Sequence, residues 1–92
     1  MDGRPRRTVV YEPLFESEMA EIEPDAQLAD ECMRSGPEWV LSRDPEFGIQ
    51  IPNTRIWFLC SLDYPRNREF VIYYVFDEER VIFISVTCSP LE

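Results

Sequence analysis

Ninety-two residues make one domain, and 45% hydrophobic with 13% aromatic residues is a globular composition that excludes global disorder. The nine basic residues are all arginine and face eighteen acidic ones, so the chain carries −9. Without histidine or lysine it has no histidine triad, His-ligated zinc, imidazole base, Schiff-base lysine or P-loop, and its net field repels nucleic acid and anionic lipid.

The first seven residues read as a flexible N-terminal arm, with a single domain over residues 8–92. The arm is basic, but no apolar stretch of the secretory-signal kind follows it. No apolar run approaches the roughly 18 residues of a membrane span, so a cytoplasmic protein without membrane contact is expected. Thr8 to Glu12 is a short β-branched run, and Pro13 makes it an edge strand or ends it. From Glu12 to Glu31 there are eight acidic residues and no arginine. Along that run and just past it, Ile22, Ala26, Ala29 and Met33 have helical spacing, Pro24 suits a first turn, and Gly36 suits a stop. A second short helix is expected from Pro37 to about Arg43, broken by Asp44-Pro45-Glu46-Phe47-Gly48.

The second half is strand-like. Arg55 to Leu62 is a strand, Asp63 to Glu69 a polar loop, and Phe70 to Phe76 a central strand apolar on both faces. Asp77 to Arg80 is a hairpin loop, and Val81 to Cys88 is the last strand. The fold class is α+β, in the order β-α-α-β-β-β. An antiparallel meander sheet is expected, with helices packed on one face.

Cys32, Cys60 and Cys88 are an odd set with no CxxC, which suggests small buried hydrophobes in a reducing compartment rather than a disulfide framework or zinc knuckle. The carboxylates from Glu12 to Glu31 lack the spacing and glycine of an EF-hand, so no metal or other cofactor is expected. Arg55, Arg66 and Arg68 are the candidate anion contacts, because a guanidinium fork binds phosphate or carboxylate bidentately. Solvated arginines paired with Asp63 or Glu69, each pair worth about 0–1 kcal/mol, are the competing reading. Tyr73 and Tyr74 point to opposite faces of their strand. One enters the core, and the other stands on the open face beside Trp57 or Phe58. Trp57, Phe58, Tyr73 and Tyr74 are therefore the candidate binding residues.

Val71-Ile72-Tyr73-Tyr74-Val75, the acidic turn Asp77-Glu78-Glu79-Arg80 and Val81-Ile82-Phe83-Ile84-Ser85-Val86 together resemble the C-terminal half of the RelE/ParE toxin superfamily. Trp39 to Glu46, Gly48 and Pro52-Asn53-Thr54-Arg55 are similar to the helix-to-strand passage of its outlying members. The resemblance covers roughly residues 8–88 and implies a toxin of a type II toxin–antitoxin pair, with an antitoxin-like protein or self-association as partner. One branch of the family cleaves mRNA on the ribosome without metal, and another poisons DNA gyrase by binding. The ribonuclease pattern is mostly unmatched. Phe70 stands where such toxins begin the central strand with arginine, and no basic residue follows the last strand from Thr87 to Pro90. The expected function is therefore protein binding. A catalytically inactive interaction module and a ribosome-dependent endoribonuclease using Arg55, Arg66 and Arg68 are the alternatives.

Overall fold

A computed structural model of the protein describes residues 6–91. Its plan starts from strand β4, Arg68–Phe76, where β-branched and aromatic residues favour extended backbone. β4 pairs antiparallel with β3 (Trp57–Asp63) on one side and with β5 (Arg80–Pro90) on the other. This is the expected meander, with residues 70–76 at its centre. Strand β1 (Thr8–Tyr11) adds to β5 and the two-residue β2 (Ile49–Gln50) adds to β3, giving the order β1-β5-β4-β3-β2.

The sheet is not antiparallel throughout. β1 runs parallel to β5, with Val9 opposite Val81 and Tyr11 opposite Phe83. No hairpin joins these two strands; the chain reaches the far edge of the sheet through a helical crossover, which is what parallel pairing requires. β2 is also additional to the expected elements.

Three helices, not two, fill that crossover: α1 (Pro13–Ile22), α2 (Ala26–Arg34) and α3 (Pro37–Arg43). Pro13 opens α1 as well as ending β1, because a proline at the first helical position gives up only an amide that would be orphaned anyway. Phe15 and Met19, one turn apart, supply its buried stripe among acidic neighbours. Pro24 does not start a helix. It lies in the link between α1 and α2, and Asp25 caps α2 by accepting from the Gln27 and Leu28 amides at 3.1 and 3.2 Å. α3 has the expected bounds, and the breaker after it forms a single 3₁₀ turn, Pro45–Phe47.

The arm expected over residues 1–7 lies outside the described residues as far as position 5. Arg7, its last residue, is fastened rather than loose. Its amide donates to the Ser42 carbonyl at 2.9 Å and its Nε to the Asp77 carbonyl at 2.7 Å.

All three helices pack on one face of the sheet. Phe15, Met19, Met33 and Leu41 form one core with Phe70, Ile72, Tyr74, Val81, Phe83 and Val86. A β-bulge in β5 shifts the register from Tyr73–Ser85 to Tyr74–Phe83, leaving Ile84 without a partner on β4. Glu18 of α1 fits this bulge, accepting from Ser85 Oγ at 2.7 Å and from the Val86 amide at 3.0 Å. Gly48 permits another close approach. A Cβ there would collide with the Phe58 carbonyl and lie 2.5 Å from the Tyr74 hydroxyl.

Phe83 has no solvent exposure and touches the rings of Tyr11, Phe15 and Tyr74, with centroids 5.4, 5.4 and 6.5 Å away. Phe83→Ala should cost about 3–5 kcal/mol, the usual toll of a buried aromatic deletion. Urea unfolding checks this. A loss below about 1 kcal/mol would show that the helix layer collapses into the space.

Candidate functional site

The three candidate arginines do not converge. Arg55 is exposed in the turn before β3, and Arg68 pairs with Asp63 at the other end of the β3–β4 ladder. At about 3.3 Å per residue those ends are roughly 20 Å apart. Strand geometry therefore forbids a shared phosphate site for Arg55 and Arg68. Arg66 and Arg68 do come together, but on a carboxylate. Asn67 between them takes the left-handed conformation (φ 54°), which asparagine tolerates, and the flanking arginines both reach Asp63.

Arg66 Nη1 donates to Asp63 Oδ1 at 3.1 Å, and Arg68 Nε to Asp63 Oδ2 at 2.9 Å. Arg68 Nη2 also reaches Glu23 at the end of α1, at 3.0 Å. The Arg68 side chain is only 13% exposed and that of Asp63 only 8%. Burial alone would raise the Asp63 carboxyl, but the hydrogen bonds and charges of Arg68 and Arg66 outweigh it and hold the group below the ordinary carboxylate range. Burial alone would likewise lower Arg68. Its bonds to Asp63 and Glu23 outweigh that and strengthen its hold on the proton. The competing sequence reading agrees in pairing Arg66 and Arg68 with Asp63, but it expected solvated pairs, whereas Arg68 and Asp63 are largely buried and Glu69 takes no part. Glu23 is a partner that the sequence did not reveal, because it is 45 residues away from Arg68.

The aromatic candidates divide between the two faces. Tyr74 is fully buried under the helices and donates its hydroxyl to the Pro45 carbonyl at 2.5 Å. Burial pushes its phenol up to about 12, so it keeps its proton near neutral pH. Trp57 lies opposite Tyr74 in the register and packs edge-on to Phe76, 5.5 Å between centroids. Trp57 and Tyr74 thus belong to the core side.

Phe58 and Tyr73 lie on the other face, opposite each other, with ring centroids 6.3 Å apart. Strand alternation puts Val71 and Val75 of β4 on that face too, with Ile82 beside Val75 and Val10 beside Ile82. Among the described residues no helix covers this face. Sequence reasoning found Phe58 and Tyr73 but missed Val10 and Ile82, because the parallel β1–β5 pairing that joins them is not written in either strand.

The cysteines depart from expectation. Cys60 is exposed, next to Phe58 and opposite Val71 on the open face, while Cys32 and Cys88 are half-buried. A strand uncovered on one side has no interior there to hide a small hydrophobe. Burial pushes the Cys32 and Cys88 thiols up, Asp63 adding to the effect in both, so both stay protonated. Among the described residues no cluster of three or more Cys, Asp or Glu side chains is placed to hold a metal. Among them, too, no helix is long and apolar enough to cross a membrane. What the geometry offers is an open apolar sheet face. Away from that face, the Cys32 thiol lies 3.8 Å from Asp63 Oδ2, beside the Arg66 and Arg68 guanidinium groups.

No family model matches this chain, and no curated protein matches it significantly.

Asp63→Asn should destabilise the protein by about 3 kcal/mol at neutral pH, the toll of breaking a buried pair. The stabilisation from a depressed carboxylate is present above its unfolded pKa of about 3.9 and is lost as pH falls through the lower folded value. The stability gap between wild type and Asp63→Asn should therefore close as pH drops below about 4. Urea unfolding of both proteins between neutral and strongly acid pH measures that gap, and a constant gap would contradict the assignment.

Proposed function

We propose that this chain is a toxin-like component of a type II toxin–antitoxin pair, with a RelE/ParE-like domain that acts by protein binding. The observation that carries the binding reading is the uncovered sheet face of Val10, Phe58, Val71, Tyr73, Val75 and Ile82. Small domains seldom leave a continuous apolar face without a partner. The link to toxins rests on the hydrophobic pattern of residues 70–86; the observed order, with three helices and the additional β2, departs from the family's β-α-α-β-β-β order.

The face fits an amphipathic segment of an antitoxin-like protein better than a second copy of the chain. Two copies, each carrying −9, repel at long range. An apolar stripe flanked by basic residues would meet complementary charge instead.

Ribonuclease action fits the site less well. Metal-independent cleavage needs a base for the 2′-hydroxyl, a donor for the leaving oxygen and cations for the phosphorane, and each acid–base group contributes about 10²–10⁴-fold. The chain has no histidine or lysine. Arg68 is committed to Asp63 and Glu23, and Tyr74 is buried in the core.

The genomic neighbourhood and co-expression test the reading: an isolated gene would count against it, and a short adjacent reading frame supplies the product to co-express with the chain. The expected result is a stable complex that Phe58→Asp and Tyr73→Glu each weaken by at least about tenfold, or 1.4 kcal/mol. Affinities unchanged by both substitutions would remove the sheet face as the contact. Cleavage of mRNA on translating ribosomes by wild type, lost in Arg55→Ala/Arg66→Ala, would establish the ribonuclease reading instead.

A further inference from the structure

Four of the nine arginines, Arg6, Arg7, Arg34 and Arg43, line a single cleft of about 510 Å³. It lies between the start of β1 and residues of α2 and α3, and it shares no residue with the open-face set. One carboxylate, Glu38, also lines it, and that carboxylate accepts the Tyr11 hydroxyl at 2.6 Å. Four cations gathered in one concavity repel each other, on a protein that is otherwise strongly acidic. A bound anion would relieve that repulsion.

The cleft is partly organised already. Arg7 is held by the Asp77 carbonyl, and its guanidinium lies 5.8 Å from the Phe76 ring centroid. Arg43 donates to the Trp39 carbonyl at 2.9 Å, with its guanidinium 4.1 Å from the indole centroid. Arg34 pairs with Asp30 at 2.8 Å, but both side chains are well exposed, so the pair is weak and exchangeable. Trp39 is 56% exposed, a large share for a tryptophan, which leaves indole surface free to stack.

We propose that this cleft binds a nucleotide, its phosphates held by the guanidinium groups and its base against Trp39. Guanidinium forks match phosphate oxygens bidentately, an aromatic ring accepts any base, and the volume lies within the range of small-ligand sites. The choice of a small nucleotide over a nucleic-acid strand follows from charge. Repulsion by a body of −9 grows with ligand charge and extends along a polymer, whereas a small anion feels mostly the local cations. An acidic peptide would satisfy the arginines but would leave Trp39 without a stacking partner. The proposal is independent of the toxin reading and goes beyond it.

Calorimetric titration of the full chain with ADP, pyrophosphate, adenosine and tetraglutamate tests it, alongside the indole N–H resonances of Trp39 and Trp57. ADP should bind, shift Trp39 and leave Trp57 unmoved, and it should bind more tightly than pyrophosphate, adenosine or tetraglutamate. Arg34→Gln and Arg43→Gln should each weaken ADP by at least about tenfold, while Arg55→Gln, an equal charge change outside the cleft, stays within about twofold. Thermal unfolding of each variant confirms that the fold is retained, which is expected for Arg34 because it is exposed and its pair is weak. Any of four results would overturn the proposal: no ADP binding, pyrophosphate as tight as ADP with Trp39 unmoved, tetraglutamate tighter than ADP, or equal losses in Arg55→Gln.

Discussion

β4 is apolar on both faces, but the described helices cover only one. Most of the molecule follows from that imbalance. On the covered side Phe70, Ile72 and Tyr74 are sealed under α1, α2 and α3. On the other side Val71, Tyr73 and Val75 meet Phe58, Cys60 and Ile82, with no second layer among the described residues. The crossover is spent on one layer because all three helices lie between β1 and β2 in the chain. A domain of this size buries only about 60% of the surface its unfolded chain exposes. A partner on the open face would add both burial and function.

Charge is distributed to suit that arrangement. The Arg68 guanidinium ties three parts of the fold: its own strand, Asp63 on β3 and Glu23 after α1. Desolvating these charges is costly, and the interlocking hydrogen bonds offset the cost. The same bonds direct Arg66 and Arg68 onto Asp63 rather than onto the open sheet face. Other arginines gather instead in the cleft beside β1 and α3, next to Trp39. The arginine-lined cleft and the apolar sheet face are thus separated on one small body.

Local signals made much of this legible in sequence. β4 shows itself as an apolar run bounded by polar loops, α3 by Pro37 and the breaker after Arg43, and the meander by the short turn read at residues 77–80, of which Arg80 already belongs to β5. The errors have equally local causes. Pro13 serves as both strand end and helix start, and only the second role places Phe15 and Met19 in the core. Pro24 resembles a helix opener, yet the cap belongs to Asp25. The parallel β1–β5 pairing, the Glu18 support of the bulge and the Glu23–Arg68 bridge join residues far apart in the chain. Periodicity carries no information about such pairs. The arginine cleft escaped for the same reason, since it assembles Arg6 and Arg7 with residues about 30 positions later.

The central claim is that the open sheet face is a contact surface. Cys60 reports on it directly, being exposed on β3 beside Phe58, while Cys32 and Cys88 are half-buried with thiols pushed up by burial. The decisive measurement is the alkylation rate of Cys60, followed by peptide mass spectrometry, in the free chain and in the complex with its co-expressed partner. Cys60 should label well ahead of the other two cysteines in the free chain and slow by at least about tenfold in the complex. An unchanged Cys60 rate in a stable complex would place the partner elsewhere and contradict the claim.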